Sequence, residues 1–501
     1  MYENDVHCGI DGYAKMAGLR DAIRDTADVA VVSCGDFIQG DIVGALSHGQ
    51  YIIDIMKIVV YDAVTLGNHE FDYYVPRLQK LLTDLKAPVT CVNFTDADRN
   101  RIYLPYVIKT LGGKTVAFIG AVTPVTMISE EFAFYDKTGK LIYDLCPQDV
   151  FQQVQEQVDA VRRLGADYVV ILSHLGERPT TMNVDSHLMI SNTTGIDVVL
   201  DGHTHSIIPT ETVMNRDGKP VLITQAGTKF KDFGKLLICP DGRMSTTLLH
   251  TADVPYENAR VKQTTDSIKA LCNEITQQPV FKCSFSLRIH DDEGREQVRM
   301  GETNAGDILM DAFREVSGTD IGIMNAGSIR SDMIVKKENE DGNENEDGNE
   351  NGNNGYNVTL GDVIAMLPYD NNMVVINATG AQILDVLTKA TRFLPKAYAD
   401  FPQVSGLKFT ANTGKGVSDV MVLNKLTGDY EPIDLQHTYT VATTDYCVTG
   451  GGLQSVFKQC AGTAKGQGLN YRDILIKYIT EKHHGTVPEQ YRTAQGRITV
   501  R

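Results

Sequence analysis

The first half of the chain alternates short apolar runs with segments of helical period. The apolar runs, mostly β-branched, lie at residues 29–32, 63–66, 168–172 and 198–200. A segment that ends at Gly165 carries valine every three or four positions, at Val150, Val154, Val158 and Val161. Strands that alternate with amphipathic helices are typical of an α/β domain, and we predict one over residues 1–255.

A second domain is predicted over residues 279–501. Residues 256–278 are polar and contain no turn signals beyond their first positions, so we interpret them as a helical connector. A strand-like run at Val280–Leu287 then opens the second domain, which we expect to mix strands and helices as an α/β (α+β) fold.

An acidic repeat interrupts the second domain. The hexapeptide E-N-E-D-G-N occurs twice in tandem, at 338–343 and 344–349, and continues into Asn- and Gly-rich sequence to Gly355. Such a segment has too little apolar surface to offset its ordering entropy, and we predict a disordered insertion over 336–355. A calcium-binding loop is the alternative, although the residue order of an EF-hand is absent.

Composition and charge exclude several classes of partner. The 501 residues carry 47 Lys and Arg against 64 Asp and Glu, a net charge of −17, which disfavours binding to nucleic acid or to an anionic membrane. No apolar stretch reaches the roughly 20 residues of a spanning helix. The nine cysteines show no C-x-x-C spacing, so neither a disulfide scaffold nor a zinc ribbon is indicated. We expect any export leader to lie outside this sequence, since no signal peptide precedes the first strand.

Polar clusters rich in metal-ligand residue types follow the apolar runs of the first domain. They read Gly35-Asp36, G-N-H-E-F-D at 67–72, Ser173-His174 and D-G-H-T-H at 201–205. Because the carboxyl ends of strands in an α/β sheet converge on one edge, the fold is expected to gather these side chains. With two residues from the chain start, the candidate metal ligands are Asp5, His7, Asp36, Asn68, His174, His203 and His205.

This set contains oxygen and nitrogen donors without thiolates, which suits zinc, manganese, iron or a similar divalent ion. A single His after a strand is more often a capping or packing residue than a ligand. Five of the eight histidines before the connector nevertheless fall inside the clusters, and only His48, His187 and His250 do not. Packing alone does not explain so many ligand types at successive strand ends.

The ordered motifs resemble those of the calcineurin-like metallophosphoesterases. In the second domain, N-A-G-S-I-R at 325–330, P-Y-D-N at 368–371, F-P-Q-V-S-G at 401–406 and T-D-Y at 444–446 resemble the C-terminal domain of the 5′-nucleotidase family. That family includes UDP-sugar hydrolases and 2′,3′-cyclic-nucleotide phosphodiesterases. The resemblance spans essentially the whole chain and implies a four-layer α/β-β/α sandwich followed by a substrate-binding domain.

The resemblance also implies a dinuclear site of zinc, manganese, iron or cobalt in the first domain. Asp36 would bridge the two ions, with Asp5, His7 and His205 completing one site and Asn68, His174 and His203 the other. His69 would lie beside the phosphate and Asp72 would orient its ring, so that His69 stabilises the transition state or protonates the leaving oxygen. The alternative is that Asp72 caps a helix and His69 only packs.

In the second domain the resemblance implies that Phe401 and Tyr446 hold the substrate base between their rings, while Asn325 and Arg330 contact a phosphate or a neighbouring group. The alternative is that both aromatic residues belong to the core. The sequence also departs from the family, since Gly452 replaces the aspartate expected to bind the ribose hydroxyls.

The expected function is therefore a two-metal phosphoester hydrolase for nucleoside 5′-monophosphates, with nucleotide-sugars or cyclic nucleotides as further substrates. One alternative is an enzyme of the same class for a non-nucleotide phosphoester or pyrophosphate. The other is a catalytically idle surface protein. Members of the family are commonly exported, which suggests a periplasmic, extracellular or cell-surface location.

Overall fold

The computed structural model describes residues 1–130, 133–136, 140–178, 182–335, 337–338, 344–345, 356–369, 371–449, 454–463 and 465–501. The chain forms two compact units, Met1–Cys272 and Asn273–Arg501. Apart from two short strands, the insertion predicted at 336–355 lies outside the described residues, and so does Gly452. The domain limits and the connector proposed from the sequence stay predictions.

The described part of the first unit contains two large sheets, a two-stranded sheet of β4 and β7, and a series of helices. Its strands are β1 (Tyr2–Glu3), β2 (Val32–Ser33), β3 (Ala63–Val64), β4 (Thr95–Asp96), β5 (Val107–Leu111), β6 (Lys114–Val122), β7 (Tyr143–Asp144), β8 (Tyr168–His174), β9 (Val198–Leu200), β10 (Ile207–Met214), β11 (Pro220–Ala226), β12 (Asp232–Ile238) and β13 (Met244–His250). Its helices are α1 (Asp11–Ile23), α2 (Ile42–Ser47), α3 (Gln50–Val59), α4 (Tyr74–Leu85), α5 (Thr126–Ser129), α6 (Val150–Arg163) and α7 (Ser186–Asn192), and α8 (Ala259–Thr276) continues past its end.

The two large sheets combine a parallel core with antiparallel strands at one edge of the first sheet and at both edges of the second. The first sheet has the order β13-β12-β1-β2-β3, with β1, β2 and β3 parallel, and the second has the order β10-β11-β9-β8-β6-β5, with β11, β9, β8 and β6 parallel. The runs at 29–32 and 63–66 form shorter strands than predicted. Their pairing continues through single backbone hydrogen bonds, such as the 3.0 Å bond from Thr65 N to Ser33 O.

The core divides this unit into four layers. On β8, Val169 and Ile171 pack with the valines of α6, whereas Val170 and Leu172 face the other way and pack with Tyr2 and other residues of the first sheet. Successive strand residues point to opposite faces, so a strand buried on both faces must be apolar throughout. Helices α1, α3 and α4 cover the outer face of the first sheet. The predicted α/β-β/α sandwich is confirmed.

The second unit is a mixed α and β structure around its own core. Its strands are β14 (Pro279–Cys283), β15 (Ile321–Asn325), β16 (Lys337–Glu338), β17 (Glu344–Asn345), β18 (Tyr356–Thr359), β19 (Asn372–Thr379), β20 (Pro402–Ser405), β21 (Leu407–Asn412), β22 (Gly416–Leu423), β23 (Tyr430–Pro432), β24 (Thr438–Thr444), β25 (Lys465–Asn470) and β26 (Ile498–Val500). Its helices are α9 (Asn304–Ser317), α10 (Leu360–Met366), α11 (Gly380–Thr391), α12 (Asp445–Thr449), α13 (Gln454–Phe457) and α14 (Tyr471–Lys477).

Two sheets of this unit have the orders β20-β15-β24-β19-β25 and β23-β22-β21-β26. Their helices begin at well-formed caps. Thr303 accepts a hydrogen bond from Gly306 N at the start of α9, and Thr379 forms a capping box with Gln382 at the start of α11. Within the described residues, no helix is both long enough and apolar enough to cross a bilayer.

A buried carboxyl group in the first sheet gives a prediction for stability. Glu3 is fully buried, and neither of its oxygens accepts a hydrogen bond of good geometry from the described residues. Burial raises its pKa from 4.5 to about 8. A raised folded-state pKa means that the free energy of unfolding falls as the pH rises from about 4.5 to about 8.

Replacing Glu3 with glutamine removes this ionisation. The melting temperature of the metal-free Glu3→Gln protein is therefore expected to match that of the wild type near pH 5 and to exceed it near pH 9 by at least about 2 °C. Thermal melts in a chelator at the two pH values measure the difference, with the exposed Glu156→Gln as the matched control. An equal shift at both pH values would contradict the assignment.

Candidate metal centre

The predicted ligands of the first unit lie directly after strands of both sheets. Asp5 follows β1, Asp36 follows β2, Asn68 follows β3, His174 ends β8 and His203 follows β9. Several of them adopt the left-handed backbone region that side chains other than glycine rarely occupy, with φ of 50° at Asp5, 41° at His7, 60° at Asp36, 80° at His203 and 56° at His205. Strained backbone of this kind is concentrated at functional sites.

Glycine allows the loops after β2 and β3 to approach each other closely. Gly35 has a φ of +90°, and a Cβ atom placed there would lie 2.3 Å from the backbone nitrogen of Gly67. A Cβ atom on Gly67 would lie 2.1 Å from Oδ1 of Asp36. A larger residue at either position would therefore displace Asp36.

Four of the predicted ligands form one compact cluster. Asp5, His7, Asp36 and His205 each place a ligand atom within 4.8 Å of the others. Nε2 of His7 lies 3.0 Å from Nε2 of His205 and 3.7 Å from Oδ2 of Asp36, and Nε2 of His205 lies 3.5 Å from Oδ1 of Asp5. Nδ1 of His7 lies 3.1 Å from the backbone oxygen of Gln39, which can accept its proton and leave Nε2 free to bind a cation.

The remaining predicted ligands are His174, His203 and Asn68. Nδ1 of His174 donates to the backbone oxygen of Cys34 at 2.7 Å, and Nε2 lies 3.1 Å from Oδ2 of Asp36. This Nε2 atom is buried and has no hydrogen bond of good geometry with the part of the chain that the structure describes. Nδ1 of His203 lies 2.9 Å from Oδ1 of Asn68. The donor set of carboxylate, amide and imidazole, with an unsatisfied Nε2, fits a divalent cation.

Electrostatics keep several imidazoles in the form that binds metals. Burial lowers the pKa of His7 and of His203 to about 4, and burial also lowers the pKa of His205, so these rings are neutral at neutral pH. Although burial opposes it, the charge of Asp36 raises the pKa of His174 to about 10. A proton on His174 thus balances Asp36, and a cation at the site would supply the same positive charge.

Glu70 holds two of the ligand loops in place, a role that the sequence did not indicate. Its carboxylate accepts hydrogen bonds from the backbone nitrogens of Asp36 at 2.7 Å, Phe37 at 2.8 Å and Gly67 at 2.6 Å. The only sequence signal was its position beside His69 in G-N-H-E. Glu70 therefore fixes the backbone from which Asp36 extends.

Two further polar side chains, Glu177 and Gln225, hold the loop that carries His203 and His205. Thr204 and Ser206 both donate to the carboxylate of Glu177, the latter at 2.7 Å. The amide of Gln225 donates to the backbone oxygen of Gly202 at 3.0 Å and accepts from Ser206 N. Neither Glu177 nor Gln225 lies in a recognisable motif. The sequence did not indicate them, because their contacts with this loop depend on the pairing of distant strands.

His69 and Asp72 form a pair beside the cluster. Nδ1 of His69 lies 2.9 Å from Oδ2 of Asp72, and the backbone nitrogen of His69 donates to Oδ1 of Asp36 at 2.8 Å. Helix α4 begins after Tyr73 and has no side-chain cap, so Asp72 does not cap it. Burial opposes the charged form of His69, but Asp72 and Asp36 raise its pKa well above the ordinary value.

The candidate substrate-binding residues of the second unit differ in their exposure. Asn325 is buried at the end of β15, where its Oδ1 accepts from Ser328 at 2.8 Å and from Cys447 at 3.4 Å. Tyr446 is 36% exposed, and Arg330 is also exposed.

Phe401 is 1% exposed and packs in the hydrophobic core of this unit, as in the alternative that the sequence left open. Its ring therefore presents no open face to a ligand in this structure. Gly452, at the position of the family aspartate, lies outside the described residues.

Comparison with known proteins identifies both parts of the chain. Residues 3–206 match the model of the calcineurin-like phosphoesterase family, whose members use divalent metals, and residues 287–459 match the model of the 5′-nucleotidase C-terminal domain. The chain is 26% identical to a trifunctional nucleotide phosphoesterase protein of Bacillus subtilis over 95% of its own length, but it spans only 33% of that protein.

A second relative is the NAD 5′-nucleotidase of Haemophilus influenzae, which is 24% identical over 91% of this chain and 82% of the relative. The crystal structure of a putative 5′-nucleotidase from Staphylococcus aureus has the same fold, with a TM-score of 0.73 at 18% identity, covering 100% of this chain and 98% of that one. With a calcineurin-like phosphoesterase domain followed by a 5′-nucleotidase C-terminal domain, this chain belongs to the 5′-nucleotidase family of metallophosphoesterases.

Proposed function

We propose that this protein uses two divalent metal ions to hydrolyse nucleotide phosphoesters, releasing phosphate from nucleoside 5′-monophosphates. The observation that carries the proposal is the position of Asp36, whose Oδ2 lies 3.7 Å from Nε2 of His7 and 3.1 Å from Nε2 of His174, one member of each proposed ligand group. A carboxylate that lies close to both groups of candidate ligands is suited to bridging two cations.

In this proposal Asp5, His7 and His205 would hold one ion, Asn68, His174 and His203 would hold the other, and Asp36 would be shared between them. Zinc, manganese, iron and cobalt all suit these donors. Bound there, the ions would polarise the phosphoryl oxygens and make water acidic enough to serve as a nucleophile near neutral pH. Glu70 would keep the bridging carboxylate in position through the backbone.

His69 is the proposed acid. Its Nδ1–H donates to Asp72, which leaves the protonated Nε2 to donate to the leaving oxygen as the bond between that oxygen and phosphorus breaks. The imidazolium is available because Asp72 and Asp36 raise the pKa of His69. The leaving nucleoside thus departs as a neutral alcohol, and His69 becomes neutral.

The second unit supplies the proposed residues for substrate recognition. The half-exposed ring of Tyr446 is suited to stacking on a base, and the exposed guanidinium of Arg330 is suited to a phosphate. Asn325 and Phe401 are the other proposed contacts, and Phe401 would have to leave the core to reach a ligand.

The burial of Phe401 favours one runner-up function, a metallophosphoesterase for a non-nucleotide phosphoester or a pyrophosphate. A base held by one ring instead of two would contribute less binding free energy, because each stacking contact is worth about 1–3 kcal/mol. A catalytically idle surface protein is disfavoured by the full set of ligand residues.

A metal-dependent substrate panel tests these alternatives. The protein reconstituted with Mn²⁺, Zn²⁺ or Co²⁺ is expected to release phosphate from AMP with a kcat/KM at least about 10-fold above that for phenyl phosphate, and a chelator is expected to abolish the activity. UDP-glucose, 2′,3′-cyclic AMP and pyrophosphate complete the panel.

Equal kcat/KM values for AMP and phenyl phosphate would remove the nucleotidase assignment. Fewer than about one bound ion per chain after reconstitution would favour the idle protein.

We also propose a periplasmic, extracellular or cell-surface location, supported by the family resemblance. Fractionation of the native host with an antibody against the chain tests it. Recovery with cytoplasmic marker proteins would contradict the proposal.

A further inference from the structure

A third acidic side chain lies beside the His69–Asp72 pair. Glu130 follows the short helix α5, which comes after β6 of the second sheet, whereas Asp72 follows β3 of the first sheet. One ring nitrogen of His69 and one oxygen each of Asp72 and Glu130 all lie within 4.8 Å of one another. The fold brings Glu130 to this place from 58 residues further along the chain, so no sequence motif indicates it.

The two carboxyl groups carry different charges. Both ionised groups would repel each other in a buried setting, so one of them retains a proton. Burial and the charge of Asp72 raise the pKa of Glu130 well above its ordinary value. Burial also raises the pKa of Asp72, but the nearby His69 counteracts this rise. The proton therefore belongs on Glu130, and Asp72 remains the anionic partner of His69.

Asp72 has a free oxygen for such a neighbour. Its Oδ2 lies 2.9 Å from Nδ1 of His69, while its Oδ1 is buried without a hydrogen bond of good geometry from the described residues. An unsatisfied buried carboxylate oxygen costs free energy, so a hydrogen-bond donor beside it would both stabilise Asp72 and fix its orientation.

We propose that Glu130 is a positioning residue whose carboxyl group donates a hydrogen bond to Oδ1 of Asp72, so that Asp72 holds the His69 ring in the orientation for proton transfer. This inference rests on the proposed role of His69 as the acid. The other charged or titratable groups that act on the pair include Asp36, whose charge affects both His69 and Asp72. They also include the rings of His7, His203 and His205, which interact electrostatically with His69, and the ring centroid of His7 lies 5.2 Å from that of His69.

Two esters with different leaving groups test the role of Glu130. The alkoxide of glycerol 2-phosphate is a poor leaving group, so its departure requires a proton from an acid. The p-nitrophenolate of p-nitrophenyl phosphate is a good leaving group and departs without one. In the metal-loaded Glu130→Ala protein, kcat for glycerol 2-phosphate is expected to fall about 10- to 100-fold, the usual effect of losing a partner that orients an active-site group. For p-nitrophenyl phosphate, kcat is expected to fall less than about 3-fold, with KM nearly unchanged for both.

Two further variants separate positioning from a purely structural effect. Glu130→Gln keeps a hydrogen-bond donor, so it is expected to retain most of the wild-type kcat even if Glu130→Ala folds poorly. In a His69→Ala background, adding Glu130→Ala is expected to cause no further loss, because residues that act through one another are not additive. The exposed Glu156→Ala on α6 is the matched control.

Equal losses of kcat for both esters, or a further loss in the His69→Ala background, would overturn the inference. A metal content that falls by one ion per chain in Glu130→Gln would also overturn it, since Glu130 would then be a ligand. Hydrolysis of the two esters without hydrolysis of any nucleotide would refute the proposed substrate and leave the test of Glu130 intact. If the metal-loaded wild type hydrolysed neither ester, both the proposed function and the inference about Glu130 would be overturned.

Discussion

Replacing Asp36 with alanine is expected to lower metal-dependent phosphate release by at least about 10³-fold. Removing a single hydrogen-bond donor that stabilises a transition state lowers kcat by about 10²–10³-fold. The loss of Asp36 is expected to be larger, because this residue is proposed to bind both cations. Its removal would also leave Nε2 of His174 without its carboxylate neighbour at 3.1 Å. Metal analysis of the purified variant is expected to show fewer bound ions than the wild type.

The matched control for Asp36 is Asp54→Ala, which removes a half-exposed carboxylate from α3. This control is expected to retain both metal content and activity. If Asp36→Ala released phosphate at the wild-type rate, the bridging role and the two-metal mechanism would both be wrong.

Replacing His69 with alanine is expected to lower kcat for AMP by about 10²–10⁴-fold, the usual contribution of a general acid. The metal content is expected to stay at the wild-type level, because the ring of His69 pairs with Asp72 and only its backbone nitrogen contacts Asp36. Phosphate release and metal analysis on the same preparation measure the two quantities.

The control for His69 is His250→Ala, which removes an exposed histidine from β13. A His69→Ala protein that lost its metals together with its activity would show a structural or ligand role for this residue. An unchanged kcat for AMP would remove His69 from the mechanism.

The sequence alone was sufficient to predict the fold class and the strand ends at which the candidate ligands lie, whereas the role of these residues as ligands stays a prediction. Apolar runs ending in Asp36, Asn68 or His174 indicated strands whose carboxyl ends converge, and the structure brings these side chains together. This prediction succeeded because the period of a strand and the position of its end are local properties of the chain.

The second unit shows where local patterns were insufficient. The segment around Phe401 matched a family motif, yet the residue packs in the core, because burial depends on which strands pair with β20. Asn325 and Cys447 are neighbours for the same reason, since β15 pairs with β24.

The sequence by itself indicated the fold class, the two-part organisation and the candidate ligand side chains, because each depends on residues close together in the chain. Only the tertiary structure decided which polar groups support them. Glu70 binds the backbone of the Asp36 loop, Glu177 holds the loop after β9, and Glu130 lies beside Asp72. Contacts between distant segments depend on sheet order and loop closure, which no local pattern encodes.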